Sequence, residues 1–445
     1  MNKLFVEALS TRAHPIKKAK KKIRAEYITA LTYIVEKTLS EKNCYQAETG
    51  SIISEHLHLY QNQLFADICV GTIDEKNGKR CLMAFSNDWR NKYRFMRNKY
   101  RFMLICDVAL IIFDEELVSV AMGIIKEGLS AKWQADVEQI TALLKNNQDD
   151  KKRYLPASML INQYRANKEF IAKPERRIIV TANMSAGKST LINALIGKPI
   201  ARTSQEVCTG NICYLFNKAY EDDNVHLSAQ DINLSATAED LHEYDWSGQI
   251  FIASYFAGIV PKIPRLCIID TPGVDAALYK EHSKIAHNAL LNDDYDTIIY
   301  VVSPTRLGTD AEKKHLRWVA QNLQKEKVIF VLNKLDDYHD FADSIEESIH
   351  DLKEDLLKSG FDNPIICPIS AYFSYLLKMK ITGQSLSEDE EDEYAVYAKK
   401  FKKPAYDLSH YYKGVQCLSS DSEEIALSKC VGLYGLETMI YGGIL

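Results

Sequence analysis

The sequence predicts an α/β fold: a mainly parallel sheet with helices on both faces, preceded by a mainly helical N-terminal region. Three observations carry this. Short, β-branched, almost wholly apolar runs recur between residues 171 and 375. Segments of helical period separate them. Upstream of residue 170, apolar residues recur at helical spacing instead. Buried apolar strands alternating with helices form doubly wound sheets, and such sheets hold ligands at the carboxyl ends of their strands.

Along residues 1–170, Leu4, Ala8, Ile16, Ile23, Tyr27, Ala30, Leu31 and Ile34 keep a helical period. The basic run Lys17, Lys18, Lys20, Lys21, Lys22 and Arg24, beside Arg12, is read as a solvated helix face, with contact to anionic lipid as the alternative. The stretches 64–71 and 80–85 are read as short strands. The window Met103–Ile125 is the most apolar in the chain. It carries Asp107, Asp114, Glu115 and Glu116, which are costly in lipid, so it is read as buried helix. The helical pattern continues to Leu144. The tandem RNKYRFM copies at 90–96 and 97–103 add about two helical turns and imply no function. His56 and His58, without partners, are not read as a metal site.

From 171 the runs Arg177–Thr181, Leu266–Ile269, Thr297–Val302, Val328–Leu332 and Ile365–Ile369 are read as strands. Glu312–Leu323 and Ser344–Lys358 are read as helices. The expected domains are 1–170, mainly helical, and 171–445, the α/β domain.

The strand RIIVT runs into ANMSAGKST at Ala182–Thr190 and then a helical run. Strand, loop and helix in this order form a phosphate-binding loop, whose amides and helix N-terminus wrap phosphates. Asn183, Met184, Ser185, Ala186, Gly187, Lys188, Ser189 and Thr190 are the candidate loop residues. Lys188 reaches the β- and γ-phosphates, and Ser189 ligates Mg²⁺. Ala182 stands where the pattern has its first Gly, which is tolerable at negative φ.

Strand LCIID delivers Asp270-Thr271-Pro272-Gly273. The carboxylate can hold Mg²⁺ through water, and the Gly273 amide can sense the γ-phosphate. Strand VIFVL delivers Asn333-Lys334-Leu335-Asp336. A carboxylate at Asp336 accepts from N1 and the 2-amino group of guanine, a donor pair that adenine lacks. Lys334 packs along the base. Ser370-Ala371, after the last strand, supports it through the backbone. Thr209 is the candidate third Mg²⁺ ligand, beside Ser189 and Asp270; Thr203 is its rival, and the apolar run Ile212–Phe216 favours Thr209. Val274 follows Gly273, where some nucleotide hydrolases carry a water-orienting Gln. Catalysis then relies on backbone groups, an Mg²⁺-linked threonine, a monovalent cation or a partner.

Together these motifs place a P-loop GTPase domain after the helical region. NMSAGKSTLINALIG, and SPTRLGTDAEKKHLRWV leading into VIFVLNKLD, resemble the dynamin-like large GTPases, in particular bacterial members. The 82 residues from Lys188 to Asp270 are also long for a small Ras-like or Era-like domain. The resemblance covers roughly Glu175 to Ala371. It implies catalytic roles for Ser185, Lys188, Thr209 and Gly273, with Ser185 helping to hold a charge-compensating cation. Met184 departs from dynamin itself, which has Gln there. The resemblance further implies GTP hydrolysis with Mg²⁺, helices that change angle with nucleotide state, and a homodimer through the G domain or a related partner chain. VGLYGLETMIYGGIL resembles the closing helix of such a domain. No long amphipathic stalk follows it, so the chain is expected to be too short for the full family architecture.

The composition excludes other classes. In 445 residues, 46% hydrophobic and 26% charged, there is ample material for a core. A net charge of −5 does not favour nucleic acid as a partner. The ten cysteines form no CxxC pair and are expected as free thiols in a reducing cytoplasm. No long apolar run at the N-terminus suggests a secretory signal. Peripheral membrane contact remains an expectation. Two other readings stay open: an Era- or TrmE-like switch in RNA or ribosome maturation, and a nucleotide-binding scaffold with little turnover.

Overall fold

The computed structural model describes residues 14–45, 47–68, 74–85, 94–145, 152–183, 185–201, 211–229, 231–237, 240–241, 248–260, 264–274, 280–339, 344–412, 415 and 422–442. The chain divides into two compact units. One comprises Met1–Lys173 with Lys218–Ser235. The other comprises Pro174–Asn217 with Ala236–Leu445.

The first unit is helical where described before residue 173. Its helices are α1 (Lys21–Glu41), α2 (Glu48–Leu64), α3 (Glu75–Ala84), α4 (Arg94–Ile112), α5 (Glu115–Gly128), α6 (Ala131–Lys145) and α7 (Ser158–Ala172). The stretch 80–85, expected as a strand, lies on α3. Asp74 caps that helix by accepting from the Asn77 amide at 2.6 Å. The buried face is Gly78, Cys81 and Leu82, a helical spacing that a five-residue apolar run disguises. The stretch 64–71 is not a strand either as far as it is described: Leu64 ends α2 and 65–68 form a turn.

The window Met103–Ile125 is helical but broken. Phe113 takes φ 46°, and Asp114 then caps α5 by accepting from the Glu116 and Leu117 amides. Asp107, in the middle of the apolar run, is fully buried and accepts from the Tyr27 hydroxyl and from His14 at 3.2 Å. Those partners explain how a carboxylate sits in this core. Among the described residues no helix is long and apolar enough to cross a membrane. Lys17, Lys18, Lys20, Lys21 and Lys22 are exposed or on the exposed edge of α1, while Arg24 pairs with Asp67 at 2.7 Å. The second RNKYRFM copy, from Arg97, lies on α4.

Segment 218–235 carries β3 (Val225–Ser228) and most of β4 (Ile232–Ala236). Lys218 is buried there on Asp222 and 3.2 Å from His226 Nε2.

The second unit is built on the strands β1 (Arg176–Ala182), β2 (Cys213–Asn217), β5 (Ile250–Ser254), β6 (Leu266–Asp270), β7 (Thr297–Val302), β8 (Val328–Leu332) and β9 (Ile365–Pro368). Their order is β5-β2-β6-β1-β7-β8-β9. All neighbours are parallel except β2 against β6. The five expected strands are present. β1, β6, β7 and β8 are buried almost along their length, which is why they read as continuous apolar runs. The helices are α8 (Lys188–Ile196), α9 (Lys280–Asn292), α10 (Asp310–Asn322), α11 (Ile345–Ser359), α12 (Ala371–Ile381), α13 (Glu388–Phe401), α14 (Glu423–Cys430) and α15 (Leu433–Gly442). The acidic run at 388–393 starts α13, behind a capping box of Ser387 and Glu390. Among the described residues Cys44, Cys81, Cys106, Cys213, Cys267, Cys367 and Cys430 are free thiols.

Candidate functional site

Five adjacent strands, β6-β1-β7-β8-β9, end on one edge of the sheet. The residues after β1, β6, β8 and β9 are the sequence motifs, so parallel pairing alone gathers them.

The loop after β1 is shaped by two left-handed residues. Ser185 has φ 63° and Gly187 φ 88°. Ser185 is exposed at the turn. A side chain on Gly187 would collide with the Asn333 amide nitrogen, so glycine is required there twice over, by conformation and by space. Ala182 lies in β1 without a positive φ, so a methyl group is tolerated there. Gly187 caps α8, and Lys188 and Ser189 are its first two residues, at the positive end of the helix dipole. Lys188 is nearly buried and pairs with Asp270, the last residue of β6. The ammonium and the carboxylate offset each other there, and both converge where phosphate and a divalent cation would meet. Thr190 is half-buried in the same turn. Met184, Thr203 and Thr209 lie outside the described residues.

Thr271 ties β6 to β1 by donating its hydroxyl to the Val180 carbonyl at 2.8 Å. Val274 donates its amide to Ala182 at 3.2 Å. The Asp270–Gly273 segment therefore runs alongside the start of the phosphate loop.

Asn333 joins the halves of the site. Its side chain donates to the Ala186 carbonyl at 3.0 Å and accepts from the Ala371 amide at 2.9 Å. Lys334 takes φ 66°, which turns the chain into a short helical turn holding Asp336. Ser370 donates its hydroxyl to Asp336 Oδ1 at 2.6 Å. Burial raises the Asp336 carboxyl above its usual value, and the Ser370 hydrogen bond works against that.

Glu312 was invisible to motif reading. It sits in the first turn of α10, 2% exposed, and accepts from Asn183 Nδ2 at 2.5 Å and from the Tyr300 hydroxyl at 2.7 Å. Burial raises its carboxyl above the usual range, with both donors opposing the shift. The phosphate loop's second residue is thus pinned from β7 and α10. The only sequence signal was a Glu in an amphipathic helix, which ordinarily faces water.

The oxygen donors Ser189 and Asp270 suit a hard cation such as Mg²⁺, which takes one or two protein oxygens and completes its shell with substrate phosphates and water. Among the described residues no cluster of three or more His, Cys, Asp or Glu side chains is arranged for a metal.

Residues 178–335 match the model of the dynamin family. A probable transmembrane GTPase, FZO-like and chloroplastic, from Arabidopsis thaliana is 30% identical over 223 residues, covering 49% of this chain and 21% of that protein. An uncharacterised protein in the xynA 3′ region of Caldicellulosiruptor sp. (strain Rt8B.4) is 26% identical over 235 residues, covering 50% of this chain and 54% of that protein. The aligned region thus spans about a fifth and about half of these relatives. Among solved structures, an oligomerised bacterial dynamin pair aligns at 16% identity over 93% of this chain and 76% of that one, with a TM-score of 0.36.

Proposed function

We propose that this chain, whose residues 178–335 form a dynamin-like GTPase domain, binds GTP and hydrolyses it to GDP and phosphate. The observation that carries the reading is Asn333. By bonding both Ala186 and Ala371, it holds the phosphate loop and the base-selecting loops in one rigid constellation. A site built only for phosphate needs no such tie.

In this reading the loop amides at 185–189 and the α8 N-terminus hold the phosphates. Lys188 exchanges its Asp270 partner for the β- and γ-phosphate oxygens, where it offsets charge that grows in the transition state. Ser189 and Asp270, with Thr209, would hold Mg²⁺, which would offset negative charge on the phosphates. The Gly273 amide follows the γ-phosphate. Val274 offers no side-chain hydrogen bond to water, so the attacking water is oriented by backbone groups, by Thr209, by a cation near Ser185, or by a group from a second chain. Asp336 selects guanine, Lys334 covers the base, and Ser370 and Ala371 support it.

We further propose that turnover couples to a conformational change or to nucleotide-dependent dimerisation through the GTPase domain. A cytoplasmic location with peripheral membrane contact accords with the exposed lysines of 17–22. Calorimetric titration with GDP and ADP tests the nucleotide assignment. Tight GDP binding that Lys188→Ala abolishes supports it; equal affinity for ADP refutes guanine selection.

A further inference from the structure

Helix α13 follows the guanine-selecting strands and belongs to none of the nucleotide motifs. Its aromatic residues fix it to α12, the helix that begins at Ala371. Phe401 is fully buried and stacks on Phe373 with ring centroids 5.6 Å apart. Phe373 also meets Tyr394 and Tyr397, and the Tyr372 hydroxyl donates to Glu393. This packing sets the direction of Lys400, one residue before Phe401.

The Lys400 ammonium donates to the Asp336 carbonyl at 2.7 Å and to the Tyr338 carbonyl at 2.5 Å. Its cation lies 4.6 Å from the Tyr406 ring centroid. These groups form one wall of a cavity of about 1040 Å³ that Asp336 also lines. The backbone of the guanine-selecting residue is therefore clamped from a helix 64 positions further along the chain. Its carboxylate is held separately, by Ser370.

From this geometry we propose that Lys400 is a positioning residue for guanine selection, fixing Asp336 so that its carboxylate meets the base edge. The proposal rests on the reading of this site as a guanine-nucleotide site. Clamping the carbonyls of Asp336 and Tyr338 leaves the turn one orientation. Without the ammonium those carbonyls turn to water, and the carboxylate loses its aim while the fold persists. Selective recognition depends on residues held to within a fraction of an ångström by their supports, so a clamp of this kind acts on discrimination more than on stability.

The probes are GDP, IDP and ADP. IDP lacks the 2-amino group that donates to Asp336, so the GDP-to-IDP affinity ratio reads that one contact. In the wild-type full chain this ratio is expected to be on the order of tenfold or more, the value of a hydrogen bond to a charged group. Lys400→Met keeps an unbranched side chain of similar length and removes the ammonium with its two hydrogen bonds. It should lower the ratio by about threefold or more, with an unchanged melting temperature, and Lys400→Arg should restore part of it. A Lys400→Met ratio within experimental error of wild type would overturn the proposal while leaving the guanine site intact. A wild-type chain that does not prefer GDP over ADP would instead overturn the site reading itself.

Discussion

Glu312 accepts hydrogen bonds from both Asn183 of the phosphate loop and Tyr300 of β7 while almost wholly buried. The charged form is therefore hydrogen-bonded but poorly solvated, and its carboxyl sits above the ordinary 4.5. The folded state then holds the Glu312 proton more tightly than the unfolded chain does. The contribution of this group is fully present below pH 4.5 and is lost as pH rises through its folded value. Glu312→Gln should abolish that part of the slope. Urea midpoints of both proteins between pH 4 and pH 7 check this: their difference should change in favour of the variant as pH rises. Parallel curves would mean that Glu312 is not strained by burial.

Asn333 donates to the Ala186 carbonyl of the phosphate loop and accepts from the Ala371 amide after β9. Asn333→Ala leaves the Ala186 carbonyl and the Ala371 amide without it, at a cost of about 1–3 kcal/mol if neither finds water. Asn333→Asp sets an acceptor against the Ala186 carbonyl. Both variants should weaken GDP binding at least tenfold by titration, roughly the effect of one such loss. Retained affinity would show that the two loops hold their places independently.

At Asp336 the chemistry itself can be inverted. Asparagine at 336 offers a donor where guanine needs an acceptor. Asp336→Asn should therefore lose GDP and gain xanthosine diphosphate, a base with an oxygen in place of the 2-amino group. Competition binding between the two nucleotides checks the exchange. Because burial raises the Asp336 carboxyl above 3.8, GDP affinity should also fall as pH drops through that raised value.

The Lys378–Glu437 pair joins α12 to α15 and is fully buried. Lys378 also donates to the Leu195 carbonyl at the end of α8, and Glu437 accepts from the Ile259 amide at 2.8 Å. Burial lowers the Lys378 ammonium below its usual value, against the pull of Glu437. Lys378→Met alone strands the carboxylate and should destabilise the fold by about 3–5 kcal/mol, whereas Lys378→Met with Glu437→Leu should recover part of the loss. Chemical denaturation of these two variants and of Glu437→Leu alone measures the coupling. Strict additivity would mean that the pair does not act as a unit.

The legible part of this fold was the part where local pattern and burial coincide. Strands buried on both faces, such as Thr297–Val302, show as unbroken apolar runs, and Gly187-Lys188-Ser189 and Asp336 follow them at fixed offsets. Short half-buried segments behaved otherwise. The apolar residues of 80–85 belong to one face of α3, and the break between α4 and α5 depends on Phe113 and the Asp114 cap, which the surrounding apolar run conceals. Strands β3 and β4 are brief and mixed in polarity, and only pairing defines them. Glu312 and Lys400 were not legible at all. Each acts across 60 or more positions, from a helix face that sequence alone assigns to solvent, and only folding brings it to Asn183 or to Asp336.

This constellation is expected to turn over GTP. Phosphate release in the presence of Mg²⁺, measured for the wild-type chain and Lys188→Ala with GTP and with ATP, tests it most directly. Release is expected from GTP by the wild-type chain alone, with ATP and the variant at background. Release from GTP no faster than that of the Lys188→Ala chain would contradict it.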